Sequence, residues 1–242
     1  MKYLIINGSP RRKNTWSIVK EVKKNLNGEF EEIHLLKEQI EMCNGCFNCI
    51  KYGEYKCPHS HKIQPIINKI RYADGIIIAS PVYAMNVSGI LKNFFDHTAY
   101  LYHRPEFFYK KALIIVTTAG AGHKKVAKYI DETLHHWGVN KAFKIVYACG
   151  GKDELDSNDI TSKSKKFETN IKSNKLSSPS FKEIIYFNVW KAMASSSAPI
   201  PADKKYWHES NLINLDYYPK VKLNIFKKLF SKIIFSILKK VM

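Results

Sequence analysis

Short runs of apolar residues alternate along the chain with segments in which apolar residues recur every three or four positions. The clearest run is GIIIAS at residues 75–80, which Pro81 ends, and ALIIVTT at residues 112–118 is similar. Continuous apolar runs of this length are typical of strands that are buried on both faces of a parallel sheet. We predict strands at residues 2–7, 30–36, 75–80, 112–118 and 144–148.

The segments between these strands have the periodicity of amphipathic helices. The predicted helices cover residues 15–26, 63–72, 89–100 and 126–137, with a closing helix within residues 153–176. Asn14 or Thr15 can cap the start of the first helix, and residues 43–61 are predicted to form a loop. This alternation indicates an α/β protein with a doubly wound, five-stranded parallel sheet and helices on both faces.

Ligands of doubly wound sheets bind beyond the carboxyl ends of the strands, so the loops at residues 8–15, 81–87 and 117–123 are the candidates for a site. The first loop, GSPRRKNT, precedes a helix and contains hydroxyl groups and two arginines. Free amides at a helix N-terminus together with these cations indicate a phosphate site, and a capped turn with solvated arginines is the alternative. The absence of the GxGxxG and Walker patterns argues against a Rossmann dinucleotide fold and an NTPase.

The second and third loops offer contacts for a flat aromatic ring. The segment SPVYAMNV at residues 80–87 supplies an aromatic and apolar surface together with amide hydrogen bonds. The segment TTAGAG at residues 117–122 consists of small residues that let the backbone approach a ligand closely. Each segment in isolation is also consistent with a simple connecting loop.

Together, the motifs GSPRRKNT, SPVYAMNVSGILKNFFDH and TTAGAG resemble the NAD(P)H-dependent FMN reductase group of the flavodoxin-like superfamily. The resemblance implies a flavodoxin-like fold, bound FMN, and NADPH or NADH as the electron donor. It implies an FMN phosphate surrounded by Ser9, Arg11, Asn14, Thr15 and Trp16. It implies a flavin ring lined by Pro81, Val82, Tyr83, Ala84, Met85, Asn86, Thr118, Ala119 and Gly120. Flavin chemistry demands no side-chain acid or base, so no catalytic side chain is assigned.

Four cysteines separated by short gaps lie at Cys43, Cys46, Cys49 and Cys57. Their thiolates can ligate a [4Fe–4S] cluster or a structural zinc, to which His59 or His61 can contribute. The spacing resembles that of iron–sulfur flavoproteins, in which a cluster beside the flavin relays single electrons. Similar cysteine sets also occur in FMN reductases that carry no cluster. Cluster, zinc and free thiols therefore all stay open, and Cys149 is expected to be a packed thiol.

The carboxyl third exceeds what a minimal flavodoxin-like fold needs. We predict an FMN-binding domain at residues 1–176 and a helical extension at residues 177–242, in which residues 179–193 form a helix that packs on the sheet domain or on a partner subunit. Residues 220–242 contain seven lysines and no acidic residue, with apolar residues at helical spacing. Such a basic amphipathic tail suits peripheral attachment to an anionic membrane, docking on a protein, or cover for the chain's own apolar surface.

The overall charge narrows the class of partner. The 242-residue chain has 39 lysines and arginines against 21 acidic residues, and the net charge of +18 favours an anionic partner. Nucleic acid is not expected, because no RNA-binding motif, zinc-finger spacing or helix-turn-helix pattern is evident. The first apolar run is too short for a signal peptide, so we expect a cytoplasmic protein. Peripheral membrane contact through the tail is one of the alternatives given above.

We therefore predict an FMN-dependent NAD(P)H oxidoreductase that passes electrons to a quinone, a free flavin, a nitro or azo compound, or a protein. The alternative is a flavodoxin-type electron carrier between redox proteins, although such carriers are usually acidic. The resemblance also implies a homodimer, because FMN sites in this group often lie near a subunit interface.

Overall fold

A computed structural model of the chain describes residues 1–149 and 156–242 and contains a five-stranded sheet. The strands are β1 (Lys2–Asn7), β2 (Glu29–His34), β3 (Gly75–Pro81), β4 (Lys111–Thr118) and β5 (Lys141–Ala148). They are all parallel and lie in the order β2-β1-β3-β4-β5. The chain changes direction across the sheet between β1 and β3, so the carboxyl ends of these two strands form a switch point.

Helices cover both faces of the sheet, as predicted. The helices of this part are α1 (Asn14–Lys24), α2 (Asn48–Lys51), α3 (Ser60–Tyr72), α4 (Gly89–His97), α5 (Tyr100–His103), α6 (His123–His136) and α7 (Ser157–Lys172). Successive strand residues point to opposite faces, so Ile5 and Ile77 pack beneath α1 and α7, whereas Ile6 and Ile78 pack beneath α3, α4 and α6. The flavodoxin-like architecture is confirmed.

Several predicted boundaries differ from the structure by up to three residues, among them the starts of α3, α6 and β5. The end of one helix has an identifiable reason. The helix predicted at residues 89–100 ends at His97, because the Thr98 hydroxyl donates hydrogen bonds to carbonyl groups of the preceding turn and competes with the helical pattern. The predicted loop at residues 43–61 contains α2 and a 3₁₀ turn at Glu54–Lys56. Residues 153–155 of the predicted closing helix lie outside the described residues.

The carboxyl extension consists of α8 (Phe181–Ala194), α9 (Pro201–Glu209), a 3₁₀ turn (Leu212–Asn214) and α10 (Ile225–Val241). It forms a third hydrophobic core around Phe187 and Trp207. The indole nitrogen of Trp207 donates to the carbonyl of His103 at 2.9 Å, so the extension packs on the sheet domain of its own chain. Across residues 1–149 and 156–242, we find no helix with the length and apolar character that crossing a bilayer requires.

Candidate functional site

A cavity of about 280 Å³ opens at the carboxyl ends of β1, β3 and β4. It lies between the three loops singled out above. Its lining residues are Ser9, Arg11, Lys13, Asn14, Thr15, Pro81, Val82, Tyr83, Thr117, Thr118 and Ala119. The cavity therefore occupies the position at which doubly wound sheets bind their ligands.

The first turn of α1 presents free backbone donors to this cavity. Its N-cap residue is Lys13, no side chain caps it, and the Ser17 amide makes a helical hydrogen bond to the Lys13 carbonyl at 2.9 Å. The expected caps, Asn14 and Thr15, are instead the first two residues of the helix. Thr15 Oγ1 lies 2.6 Å from Thr117 Oγ1 and so ties α1 to β4. The amides that precede Ser17 remain available to an anion.

Two cations, Arg11 and Lys13, line the cavity beside this turn. Arg11 Nη2 donates to the Tyr83 hydroxyl at 3.4 Å, so its guanidinium group bridges the first and second loops. The neighbouring Arg12 lies instead over the ring of Trp16, 5.5 Å from the ring centroid. The positive end of the α1 dipole, Arg11 and Lys13 together favour a bound phosphate.

The second loop is a tight turn with unusual backbone angles. Tyr83 and Asn86 exchange two backbone hydrogen bonds of 2.9 Å, and the central residues Ala84 and Met85 have φ values of 47° and 62°. Positive φ at both central positions is the geometry of a type I′ turn, which asparagine and glycine normally form. The turn therefore holds two residues in a conformation that they seldom adopt, at the edge of the cavity.

The third loop folds around a hydroxyl group and touches the second loop. Thr118 Oγ1 donates to the Ala121 carbonyl at 2.8 Å and accepts a hydrogen bond from the Gly120 amide at 3.2 Å. Gly122 has a φ of 90°, and a Cβ at this position would lie 3.0 Å from Met85 Sδ. Glycine therefore permits both the backbone conformation and the close approach of the two loops.

Most of the residues expected to contact FMN line the cavity, and the rest lie around it. Those in the lining are Ser9, Arg11, Asn14, Thr15, Pro81, Val82, Tyr83, Thr118 and Ala119. Ala84, Met85, Asn86 and Gly120 belong to the adjoining loops outside the lining, and Trp16 is buried in the core beneath α1. Sequence reasoning missed Lys13 and Thr117. Thr117 pairs with Pro81 in the sheet register, which no local sequence pattern indicates.

The four clustered cysteines line a second cavity, of about 250 Å³. Phe47, Ile50 and Pro58 also contribute to its walls. Burial, and then the neighbouring Cys57 and Cys43, raise the pKa of Cys49 to about 11, and burial also raises the pKa of Cys57. Thiols with raised pKa values stay protonated at neutral pH unless a metal replaces the proton. A metal bound by these cysteines would therefore have to displace their protons.

Two side chains of α4 hold the start of the cysteine segment. Asn93 Oδ1 accepts a hydrogen bond from the Cys43 amide at 2.9 Å, and its amide group donates to the Glu41 carbonyl at 3.0 Å. His97 Nε2 lies 2.8 Å from the same carbonyl, which places the proton on Nε2. The other ring nitrogen, Nδ1, is 3.7 Å from Cys57 Sγ. This nitrogen is therefore in hydrogen-bonding contact with Cys57 at the second cavity.

A smaller set of possible metal ligands overlaps the cysteine cluster. The ligand atoms of Cys57, His59 and His97 all lie within 4.8 Å of one another, and His61 is not part of this set. One thiol and two imidazoles match the preferences of zinc. The fifth cysteine, Cys149, lies at the end of β5, where its amide donates to the Thr118 carbonyl at 2.6 Å.

The sequence profile of the family described as NADPH-dependent FMN reductase matches residues 1–149. The chain belongs to this family. An iron–sulfur flavoprotein of Archaeoglobus fulgidus is 34% identical over 145 residues, which make up 57% of this chain and 64% of that protein. A second one from the same organism is 41% identical over 101 residues, which cover 40% of this chain and 49% of that protein. The chain therefore spans about half to two thirds of the length of these two relatives.

A third iron–sulfur flavoprotein, from Clostridioides difficile, is 31% identical over 170 residues, which cover 66% of this chain and 71% of that protein. Among solved structures, an NAD(P)H:quinone oxidoreductase from Methanothermobacter marburgensis has a TM-score of 0.54 at 15% identity, covering 71% of this chain and 97% of that chain. The structural likeness shows the fold that this member of the FMN reductase family shares with that protein.

Proposed function

We propose that the protein is an FMN-dependent NAD(P)H oxidoreductase that passes electrons through bound flavin to a quinone, flavin, nitroaromatic, azo or protein acceptor. The observation that carries this proposal is the first cavity, where an uncapped helix N-terminus, two cations and an aromatic turn meet at the switch point of the sheet. These features suit the phosphate at one end of FMN and the ring at the other.

The residues of the chain would bind and orient the cofactor. The amides of α1 and the Arg11 guanidinium would hold the phosphate, and the turn at residues 83–86 would support the ring. Bound FMN supplies the hydride and electron chemistry of the reaction. The strained turn is held by Val82, whose amide donates to the Thr117 carbonyl at 2.7 Å, so its position is set before any ligand binds.

Anaerobic reduction of the FMN-loaded protein tests the proposal. We expect the yellow colour to bleach on addition of NADPH or NADH and to return when a quinone is added. A protein that holds FMN and reacts with neither nucleotide would refute the oxidoreductase function. Reduction by a reduced ferredoxin alone would support the electron-carrier function in its place.

Two adjacent arginines provide a matched test of the phosphate site. Because Arg11 lines the cavity and a charge-assisted hydrogen bond is worth about 1.5–3 kcal/mol, Arg11→Gln should weaken FMN binding about 10- to 100-fold. The control is Arg12→Gln, which removes the same charge from a side chain that lies over Trp16, and it should change the affinity little. Fluorescence titration of FMN measures both. Equal losses would show that only the general positive charge matters.

We also propose that the four clustered cysteines hold a [4Fe–4S] cluster that exchanges single electrons with the flavin. All four line one cavity, and the relatives from Archaeoglobus and Clostridioides are called iron–sulfur flavoproteins. Iron and sulfide analysis of protein prepared without oxygen tests this. We expect Cys46→Ser to lose the iron and the control Cys149→Ser to retain it. Stoichiometric zinc without iron would instead assign the site to Cys57, His59 and His97.

A homodimer is the proposed working form. Tyr83 and Met85 at the rim of the first cavity and Phe47 beside the second are all partly exposed, and a second copy would cover such residues. Light scattering coupled to size-exclusion chromatography measures the mass directly. A monomeric mass at micromolar concentration would refute this part of the proposal.

A further inference from the structure

Helix α10 has two apolar faces, and only one of them is covered by the protein. The covered face packs on α8: the rings of Phe230 and Phe181 lie 4.9 Å apart, and Ser231 Oγ accepts a hydrogen bond from the buried Asn188 side chain at 2.8 Å. This face accounts for the position of the helix. It leaves the opposite side of α10 without a partner in the described chain.

The uncovered face is a continuous apolar stripe. Its residues, with their exposed fractions, are Phe226 (75%), Leu229 (57%), Ile233 (49%), Ile237 (53%) and Val241 (80%). Intervals of three and four residues place these side chains in one line along the helix axis. A helix of 17 residues is about 25 Å long, so the stripe extends over most of that length. Exposed apolar surface of this extent marks an interaction site.

Positive charge without compensating acid accompanies the stripe. Residues 217–242 contain seven lysines and no aspartate or glutamate. Lys228, Lys232 and Lys239 are exposed on α10 beside the stripe. Lys220 and Lys222, just before the helix, line a cavity of about 700 Å³ in which Lys110, Lys111 and Lys175 outnumber the single acidic residue, Asp74. The partner that meets this surface must therefore be both apolar and anionic.

We propose that α10 docks the protein on the surface of an anionic lipid bilayer, with the helix axis parallel to the membrane. The apolar stripe enters the region between headgroups and acyl chains, and the lysines meet the lipid phosphates. A second copy of the chain fits this surface poorly, because it would bring the exposed Lys228, Lys232 and Lys239 of both copies close together. Because α8 covers the inner face, a partner can reach α10 from one side only. A flat bilayer approaches a surface helix in this way.

Vesicle co-sedimentation of the full-length protein tests the proposal. We expect binding to phosphatidylcholine vesicles that contain about one third phosphatidylglycerol, and much weaker binding to phosphatidylcholine alone or at high salt. The double variant Leu229→Ser/Ile233→Ser should lower the partition coefficient at least about tenfold. Its control, Leu36→Ser/Tyr72→Ser, removes exposed side chains from other parts of the surface and should leave the partition coefficient unchanged.

A second pair of variants tests the contribution of the lysines to vesicle binding. Lys228→Gln/Lys232→Gln should weaken binding about 30-fold, because each of the two lysines near an anionic surface contributes about 1 kcal/mol. The control Lys165→Gln/Lys166→Gln on α7 should not weaken it. Far-UV circular dichroism establishes that each variant is folded. The proposal is overturned if the protein does not bind anionic vesicles at low salt, or if the α10 variants bind them as tightly as the wild type does. Self-association that requires Leu229 and Ile233 would also overturn it, in favour of a subunit interface.

Discussion

Gly8 lies where β1 passes into the phosphate loop, and the packing there leaves no room for a side chain. A Cβ at this position would lie 2.7 Å from Leu91 Cβ and 3.2 Å from the Ala79 carbonyl oxygen. Leu91 is fully buried in the core beneath α4, and Ala79 belongs to the central strand β3. Neither group can move without displacing an element of the core. The substitution Gly8→Ala must therefore push the first loop away from α4.

The cost follows from this geometry. Forcing an extra methyl group into a packed core destabilises a protein by about 1–3 kcal/mol. The Ser88 hydroxyl donates to the Gly8 carbonyl at 2.5 Å and also accepts a hydrogen bond from the Leu91 amide, so the same displacement weakens the cap of α4. We expect Gly8→Ala to lower the free energy of unfolding by about 2 kcal/mol and to weaken FMN binding as well.

Urea unfolding of the FMN-free protein, followed by circular dichroism, measures the first quantity. The matched control is Gly89→Ala, two residues before Leu91 in α4, where a Cβ would meet nothing within 4 Å and the helix would benefit from alanine. We expect no loss of stability in the control. If Gly8→Ala is as stable as the wild type, the first loop can shift to accommodate the methyl group without cost, and the packing argument is refuted.

Two further predictions concern buried polar contacts. Thr15→Val leaves Thr117 Oγ1 without its partner and should lower the free energy of unfolding in urea by about 1–3 kcal/mol. The double variant Thr15→Val/Thr117→Val should recover most of that loss. Equal stability of the single and double variants would contradict this. Burial opposes protonation of His135, but hydrogen bonds to Asp131 and Glu183 raise its pKa to about 9. Protonated His135 thus stabilises the fold fully below about pH 6.5, and this contribution disappears as the pH rises through about 9. The difference in unfolding free energy between wild type and His135→Gln should be roughly 1–3 kcal/mol at pH 6 and shrink by pH 10, and a pH-independent difference would contradict the assignment.

The sheet and the positions of the three loops could be predicted from the sequence, because local patterns determine them. β1, β3 and β4 are continuous apolar runs between turn residues, and a parallel sheet brings their carboxyl ends to one edge. The type I′ turn could not be predicted in this way. Alanine and methionine at its central positions have no preference for positive φ, so this conformation is imposed by the sheet and by α4 on either side.

Long-range contacts also decided which side chains reached the cavity. Thr15 was expected as a possible cap, but its hydroxyl pairs with Thr117, which is 102 residues away in the chain. The helical pattern around Trp16 shows that one face of α1 is buried, yet it does not say whether that tryptophan faces the sheet or the ligand. In the structure it packs in the core, with its ring 4.8 Å from that of His34.

The carboxyl extension and the cysteine segment depend on one buried guanidinium group. Arg104 Nη2 donates to the Cys49 carbonyl and Nη1 to the Asp203 carboxylate, both at 2.5 Å, while Glu54 lies 3.5 Å away. Asp203 belongs to α9, so the extension supplies the carboxylate that balances a charge needed to hold the cysteines. A buried cation that loses its close partner is strongly destabilising. The boundary predicted at residue 176 therefore separates the chain in sequence, whereas the cysteine segment is stabilised from both sides of it.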